Sequence, residues 1–177
     1  WDPVENAVYI PWIIQVASIH TMAIYQKKQT SSIKISTILV MATFILVLYA
    51  TFLTRSGILG EASVHSFTDL GLSGQLLIYL LFFAVISAGI LIFRWKNKPS
   101  SDKEVTVYSR EFWIFPGATI LGLMAFQVLI PTSFPVFNKI VEAFGGHSSL
   151  APPAEQALFY SRFQIWGGVL IAIVSGT

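Results

Sequence analysis

The chain has 177 residues, of which 54% are hydrophobic and 11% charged, with a formal net charge of +2 and a mean hydropathy of +0.68. Soluble domains carry about 25% charged residues, so this chain cannot clothe itself for water, and so small a net charge speaks against a nucleic-acid partner. It has no cysteine, which excludes a disulfide framework, thiolate metal sites and thiol chemistry by the chain itself. Any metal ligand has to be nitrogen or oxygen.

Crossing a hydrocarbon core takes about 20 mostly apolar residues at about 1.5 Å each. The chain opens on Trp1-Asp2-Pro3-Val4-Glu5-Asn6. This reads as the interior of a motif in a longer protein, with no basic leader or cleavage site ahead of it. Asp2 is placed to cap a helix, Pro3 suits its first position, and Glu5 can reach back as in a capping box. The first span is expected over about 7–25, with a kink near Pro11. His20 lies within it, as a packing histidine, a ligand or a proton relay, because polar groups inside a bilayer are costly and tend to be functional.

The second span is expected over about 33–54, ending at Arg55. That guanidinium either anchors at the interface or awaits a carboxylate such as a porphyrin propionate. The loop 55–74 follows, with His65 in Ser63-Val64-His65-Ser66-Phe67. A third span is expected over about 75–95 and a fourth over about 113–131. The loop 132–161, holding His147, leads to a fifth apolar run, 162–177, too short to cross. Residues 99–104 read as a polar loop. The expected fold is therefore all-α, a polytopic transmembrane helical bundle of four full spans and a truncated fifth. Trp95, Trp113 and Trp166 fall near expected span ends, as belt residues do. Trp1 either stacks on a flat ligand or marks the interface.

Eight of the 11 basic residues fall in the two loops that share one side: Lys27, Lys28 and Lys34, then Arg94, Lys96, Lys98, Lys103 and Arg110. Arg55, Lys139 and Arg162 remain for the other side. The positive-inside rule makes the Lys-rich side cytoplasmic, so Lys27 and Lys98 face the cytoplasm while Ser63 and Ser148 face outward.

Taken together, Trp1-Asp2-Pro3-Val4-Glu5-Asn6, His20 after Ser18-Ile19, Thr51-Phe52-Leu53-Thr54-Arg55-Ser56-Gly57 and Ser63-Val64-His65-Ser66-Phe67 resemble the CcmF family, the haem lyase subunit of cytochrome c maturation. The resemblance covers most of residues 1–75 and extends more loosely beyond. It implies that residues 1–6 are the tail of a tryptophan-rich haem-handling segment, the WWD domain, so that Trp1, Asp2, Pro3, Glu5 and Asn6 support haem. It further implies that His20 is an axial ligand of an intramembrane b-type haem, and that His65 ligates external haem brought by a haem chaperone. The implied partners are apocytochrome c, its thiol-reducing partner, the other maturation subunits and membrane lipid. The implied place is the bacterial inner membrane, with His65 on the periplasmic side.

His147 matches no family ligand. Gly60-Glu61-Ala62 makes the approach to His65 longer than in many members. The resemblance leaves two alternatives to test, an intramembrane b-type electron carrier and a secondary transporter. A helix from about residue 7 to 25 would also keep His20 and His65 at opposite faces of the membrane, so they would serve separate irons.

Overall fold

The computed structural model of the protein describes residues 1–28, 32–60, 62, 63, 65, 67, 71–96 and 109–176. The described secondary structure is helical throughout: α1 (Pro3–Lys28), α2 (Ser32–Arg55), α3 (Ser73–Arg94), α4 (Arg110–Thr132), α5 (Phe134–Ala143) and α6 (Gln156–Ser175). Five of these, all but α5, are long and apolar enough to cross a membrane. The protein is thus an all-α, multi-pass bundle, as composition requires when backbone groups can be satisfied only within a helix.

The first helix begins where its sequence says it should. Asp2 caps it by accepting from the Val4 N–H at 2.9 Å, and Pro3 occupies the first turn, where its missing donor is harmless. Glu5 reaches back toward the nitrogen of residue 1, at 3.6 Å, one residue beyond the capping-box target. Pro11 is accommodated within a continuous helix.

The helices pack in a row, α3–α2–α1–α4–α6, with α5 appended to α4. Small residues let α1 approach its two neighbours closely: Ala7, Ala17, Ser18 and Thr21 are all buried, as expected where helices associate through van der Waals contact in lipid. Toward the α2 side Ala7 joins Ala50, Phe52, Leu53 and Leu59. Toward the α4–α6 side Ile10 and Ile13 join Ala125, Val128 and Tyr160. Gly167 of α6 lies so close to α4 that an added Cβ would come within 2.5 Å of the Met124 sulfur. At the ends of the row apolar side chains face outward: α3 has no buried residue, and Phe93 is 88% exposed. Such faces are tolerable in hydrocarbon and not in water.

Three expectations need correction. The fifth span is not truncated: α6 starts at Gln156, ahead of Arg162, and its 20 residues suffice to cross. Glu155 and Arg162 obscured this start, because charge within the first turns breaks an apolar run without breaking a helix. Trp166 consequently falls at mid-helix rather than at a span end. Finally, the expected loop 132–161 contains α5, whose Phe137, Ile140 and Val141, continued by the capping Phe144, repeat at helical spacing. The following turn is held by Asn138, which accepts from Ser148 Oγ at 2.6 Å and from Leu150 N–H at 3.0 Å. Lys98, Lys103 and the polar stretch 99–104 lie outside the described residues.

Candidate functional site

The N-terminal end of α1 and the loop after α2 meet at Asp2. Its Oδ1, besides capping α1, accepts from the Ser63 hydroxyl at 2.6 Å, and its Oδ2 lies 3.5 Å from His65 Nδ1. Ser63 Oγ in turn accepts from the His65 backbone N–H at 3.1 Å. The loop is positioned for this by α2, whose C-terminal Phe52 and Leu53 are buried together with Leu59 of the loop. The Phe67 N–H also donates to the Thr54 carbonyl at 3.4 Å.

A carboxylate is acceptor-only, so the proton between Asp2 and His65 belongs on Nδ1, and Nε2 is the ring nitrogen that Asp2 does not engage. The imidazole is 65% exposed and Asp2 20%, so a histidine facing solvent is steered by a carboxylate that is largely covered. Burial by itself would raise the Asp2 pKa. The hydrogen bonds from Ser63 and Val4 and the His65 imidazole outweigh it, and the carboxyl group stays below its ordinary value of 3.8.

The other expected residues of the N-terminal string divide by exposure. Trp1 stacks on Tyr160 of α6, with centroids 5.1 Å apart and planes at 27°, and meets Tyr9 edge-on at 5.7 Å. One indole face is therefore taken by the protein. Trp1 and Glu5, with Tyr9 and Trp12, line an open groove of about 650 Å³ that His65 does not line. Pro3 and Asn6 are buried, and Asn6 interacts with the Tyr160 hydroxyl. Their contribution is to set the geometry of the string. At the end of α2 the Arg55 guanidinium lies over the Phe67 ring, 4.0 Å from its centroid. His147 is exposed beyond α5.

The second histidine stands apart. His20 Nδ1 is 2.8 Å from the Val16 carbonyl; a carbonyl can only accept, so Nδ1 carries the proton and Nε2 is again the free donor atom. This arrangement, with the distal nitrogen held by a backbone carbonyl, is the usual support of a metal-ligating histidine. His20 lines a cavity of about 530 Å³ with Trp113, Gly117 and Leu121 of α4 and Ile171 of α6. The residues fit a tetrapyrrole: one imidazole nitrogen free to ligate and mostly apolar walls. Among the described residues no group of three or more His, Asp or Glu could hold a bare metal ion. Because His65 is pinned to Asp2, the axial separation of the two histidines is close to the length of α1 between Asp2 and His20, about 27 Å. They cannot share an iron.

Sequence reasoning passed over Ser63, Tyr9, Tyr160 and Gln164. Ser63 stood in the quoted motif, two residues before His65, where a hydroxyl commonly takes a backbone N–H. The others carried no local signal. Tyr9 donates to Gln164 at 2.7 Å, and Gln164 donates to the Met124 carbonyl at 3.1 Å and Gln127 at 2.9 Å. This network joins α1, α4 and α6 behind the site and depends on contacts remote in sequence.

A multi-pass helical membrane protein with an exposed histidine in the loop after α2 and another lining an open cavity between α1, α4 and α6 is the class that fold and geometry define. Comparison with known proteins narrows it. The family model described as Cytochrome C assembly protein matches residues 1–59. The chain is 34% identical over 161 residues to the cytochrome c-type biogenesis protein CcmF of Pseudomonas fluorescens, covering 90% of this chain and 23% of that protein. It is 31% identical over 178 residues to CcmF of Escherichia coli K12, covering 99% of this chain and 26% of that protein. To CycK of Rhizobium meliloti, also a cytochrome c-type biogenesis protein, it is 34% identical over 148 residues, covering 82% of this chain and 21% of that one. The chain belongs to the CcmF family. It spans about a quarter of the length of the curated relatives it matches. No solved structure matches it. These relatives lend nothing to the electron-carrier or transporter alternatives.

Proposed function

We propose that this chain handles haem during cytochrome c maturation, holding external haem through His65 and an intramembrane b-type haem through His20, as part of a haem lyase subunit. The observation that carries the reading is the junction of Asp2 with Ser63 and His65. It joins the Trp-Asp-Pro-Val-Glu-Asn string to the histidine of the loop after α2, and leaves Nε2 of an exposed imidazole unengaged by Asp2.

The residues divide the work. Asp2 fixes the ring and tautomer of His65, and Ser63 fixes Asp2. Trp1, Glu5 and Trp12 offer an aromatic and acidic groove beside them, while Asn6 and Tyr160 keep the string in place. Arg55, at the outer end of α2, is a cation available to a propionate. External haem is substrate here. Each thiol S–H of the apocytochrome adds across a vinyl C=C to give a thioether, with no net redox change, so the chain's own lack of cysteine is no obstacle. When bound near His20, intramembrane haem supplies one-electron chemistry, which suits keeping the external iron reduced. His20 contributes Nε2, and the α4 and α6 residues of its cavity exclude water. The haem chaperone, apocytochrome and the other maturation subunits are the partners that this reading requires, on the bacterial inner membrane with His65 outward.

The test is His65→Ala in the full-length protein. Haem attachment to a reporter cytochrome c should be lost or sharply reduced, with the intramembrane haem spectrum near wild type. His147→Ala should be close to silent. Wild-type maturation by His65→Ala would refute the external site and return the electron-carrier reading.

A further inference from the structure

One face of α6 combines an exposed arginine, a glutamate and aromatic side chains. Phe159, Arg162, Phe163 and Trp166 recur at helical spacing along it and, with Glu155 at the upper end, line an open groove of about 740 Å³. Arg162 is exposed and lies six residues into a candidate span, so its Cα is about 9 Å below the start of the helix. Among the described residues the side-chain ion pairs are those of Asp2 with His65 and Lys139 with Glu142; Arg162 and Glu155 stand in none. Phe163 is 56% and Trp166 69% exposed.

An unneutralised cation at this depth demands an anion. Side chains on a helix lean toward its N-terminus, and the N-terminus of α6 is the end stacked against Trp1. The guanidinium is therefore carried up the groove, toward headgroup level and toward Glu155. An anion from solution would have to leave water to meet it. A phospholipid phosphate already resides near that depth, and its acyl chains match the aromatic walls below. Glu155 then selects the headgroup. Its carboxylate disfavours a purely anionic headgroup and pairs with an ammonium, and it stands above the arginine as an ammonium stands outward of its phosphate.

We propose that this face of α6 is a binding site for phosphatidylethanolamine, with the phosphate on Arg162, the ammonium on Glu155 and an acyl chain along Phe159, Phe163 and Trp166. The site is independent of haem handling.

The test is lipid retention by the full-length protein. Protein would be reconstituted with equal phosphatidylethanolamine and phosphatidylglycerol, then delipidated in detergent, and the bound lipid identified by mass spectrometry. Wild type should retain phosphatidylethanolamine at least tenfold over phosphatidylglycerol. Arg162→Gln should lose it and Arg162→Lys keep it. Glu155→Gln should keep phospholipid but erase the preference. Equal retention of both lipids by wild type, or undiminished retention by Arg162→Gln, overturns the proposal. So does an Arg162→Gln protein that is destabilised equally with and without phosphatidylethanolamine, which assigns the arginine to a protein carboxylate. If Arg162→Gln does not fold, Glu155→Gln and Arg162→Lys still decide, since unchanged lipid preference in the former is equally fatal.

Discussion

Asp2 Oδ2 and His65 Nδ1 lie 3.5 Å apart, with Ser63 bonded to the other oxygen of the same carboxylate at 2.6 Å. One side chain thus caps α1, anchors the loop after α2 and orients an exposed imidazole. Substitution can separate these tasks.

Asparagine caps a helix about as well as aspartate and still offers an oxygen to Ser63, but presents no charge to His65. Asp2→Asn should leave thermal stability near wild type and weaken haem binding at His65 by about 10–100-fold, the usual cost of losing the carboxylate behind a ligating histidine. Asp2→Ala should add a loss of about 1 kcal/mol for the missing cap. Haem titrations and thermal melts of the full-length protein measure both, and an Asp2→Asn affinity equal to wild type would remove the positioning role.

Ser63 holds the Asp2 carboxyl below 3.8 against the effect of burial. A carboxyl whose pKa is depressed on folding stabilises the fold fully above its unfolded value, about 3.9. It loses that contribution as pH falls through the lower folded value. Ser63→Ala should therefore move the Asp2 titration upward, so that the loop detaches at a higher pH. Carboxyl NMR of selectively labelled protein gives the midpoints; a wild-type midpoint at or above 3.8 contradicts the expected sign.

His20→Ala should remove the low-spin intramembrane haem signal while the protein still inserts. Ile19→Ala is the comparison: Ile19 is 55% exposed and contributes no ligand, so its loss should leave the signal largely intact. If the spectrum survives His20→Ala, only the hydrogen bond to Val16 remains as its role.

Orientation can be read by labelling. Lys34 Nζ lies 5.5 Å from the Trp95 ring, so the start of α2 and the end of α3 share one face, opposite Asp2 and Ser63. Single cysteines at positions 63 and 148 should react with an impermeant thiol reagent on intact cells, and those at 34 and 96 should not. The reverse pattern would invert the topology.

Much of this was legible before any coordinates. Low charge and runs of about 20 apolar residues leave only helices crossing a membrane, and the cap at Asp2-Pro3 reads directly because both ends of that hydrogen bond lie within three residues. The motif strings carried the family, and the roles proposed for His20 and His65 rest on that resemblance. The start of α6 and the existence of α5 were missed for a local reason: hydropathy averages over Glu155, Arg162, Asn138 and Lys139, while helix formation depends on spacing and tolerates charge on one face.

What only the tertiary structure decided is which residues meet. That Asp2 faces Ser63 and His65, that Tyr160 covers one face of Trp1, and that His20 opens onto a cavity walled by α4 and α6 all depend on the packing order α3–α2–α1–α4–α6. Apolar helices bury equally well in several orders, so periodicity does not rank them. The order is selected by contacts between distant positions, such as Gly167 against Met124 and Tyr9 with Gln164, whose pairing no single stretch of sequence records.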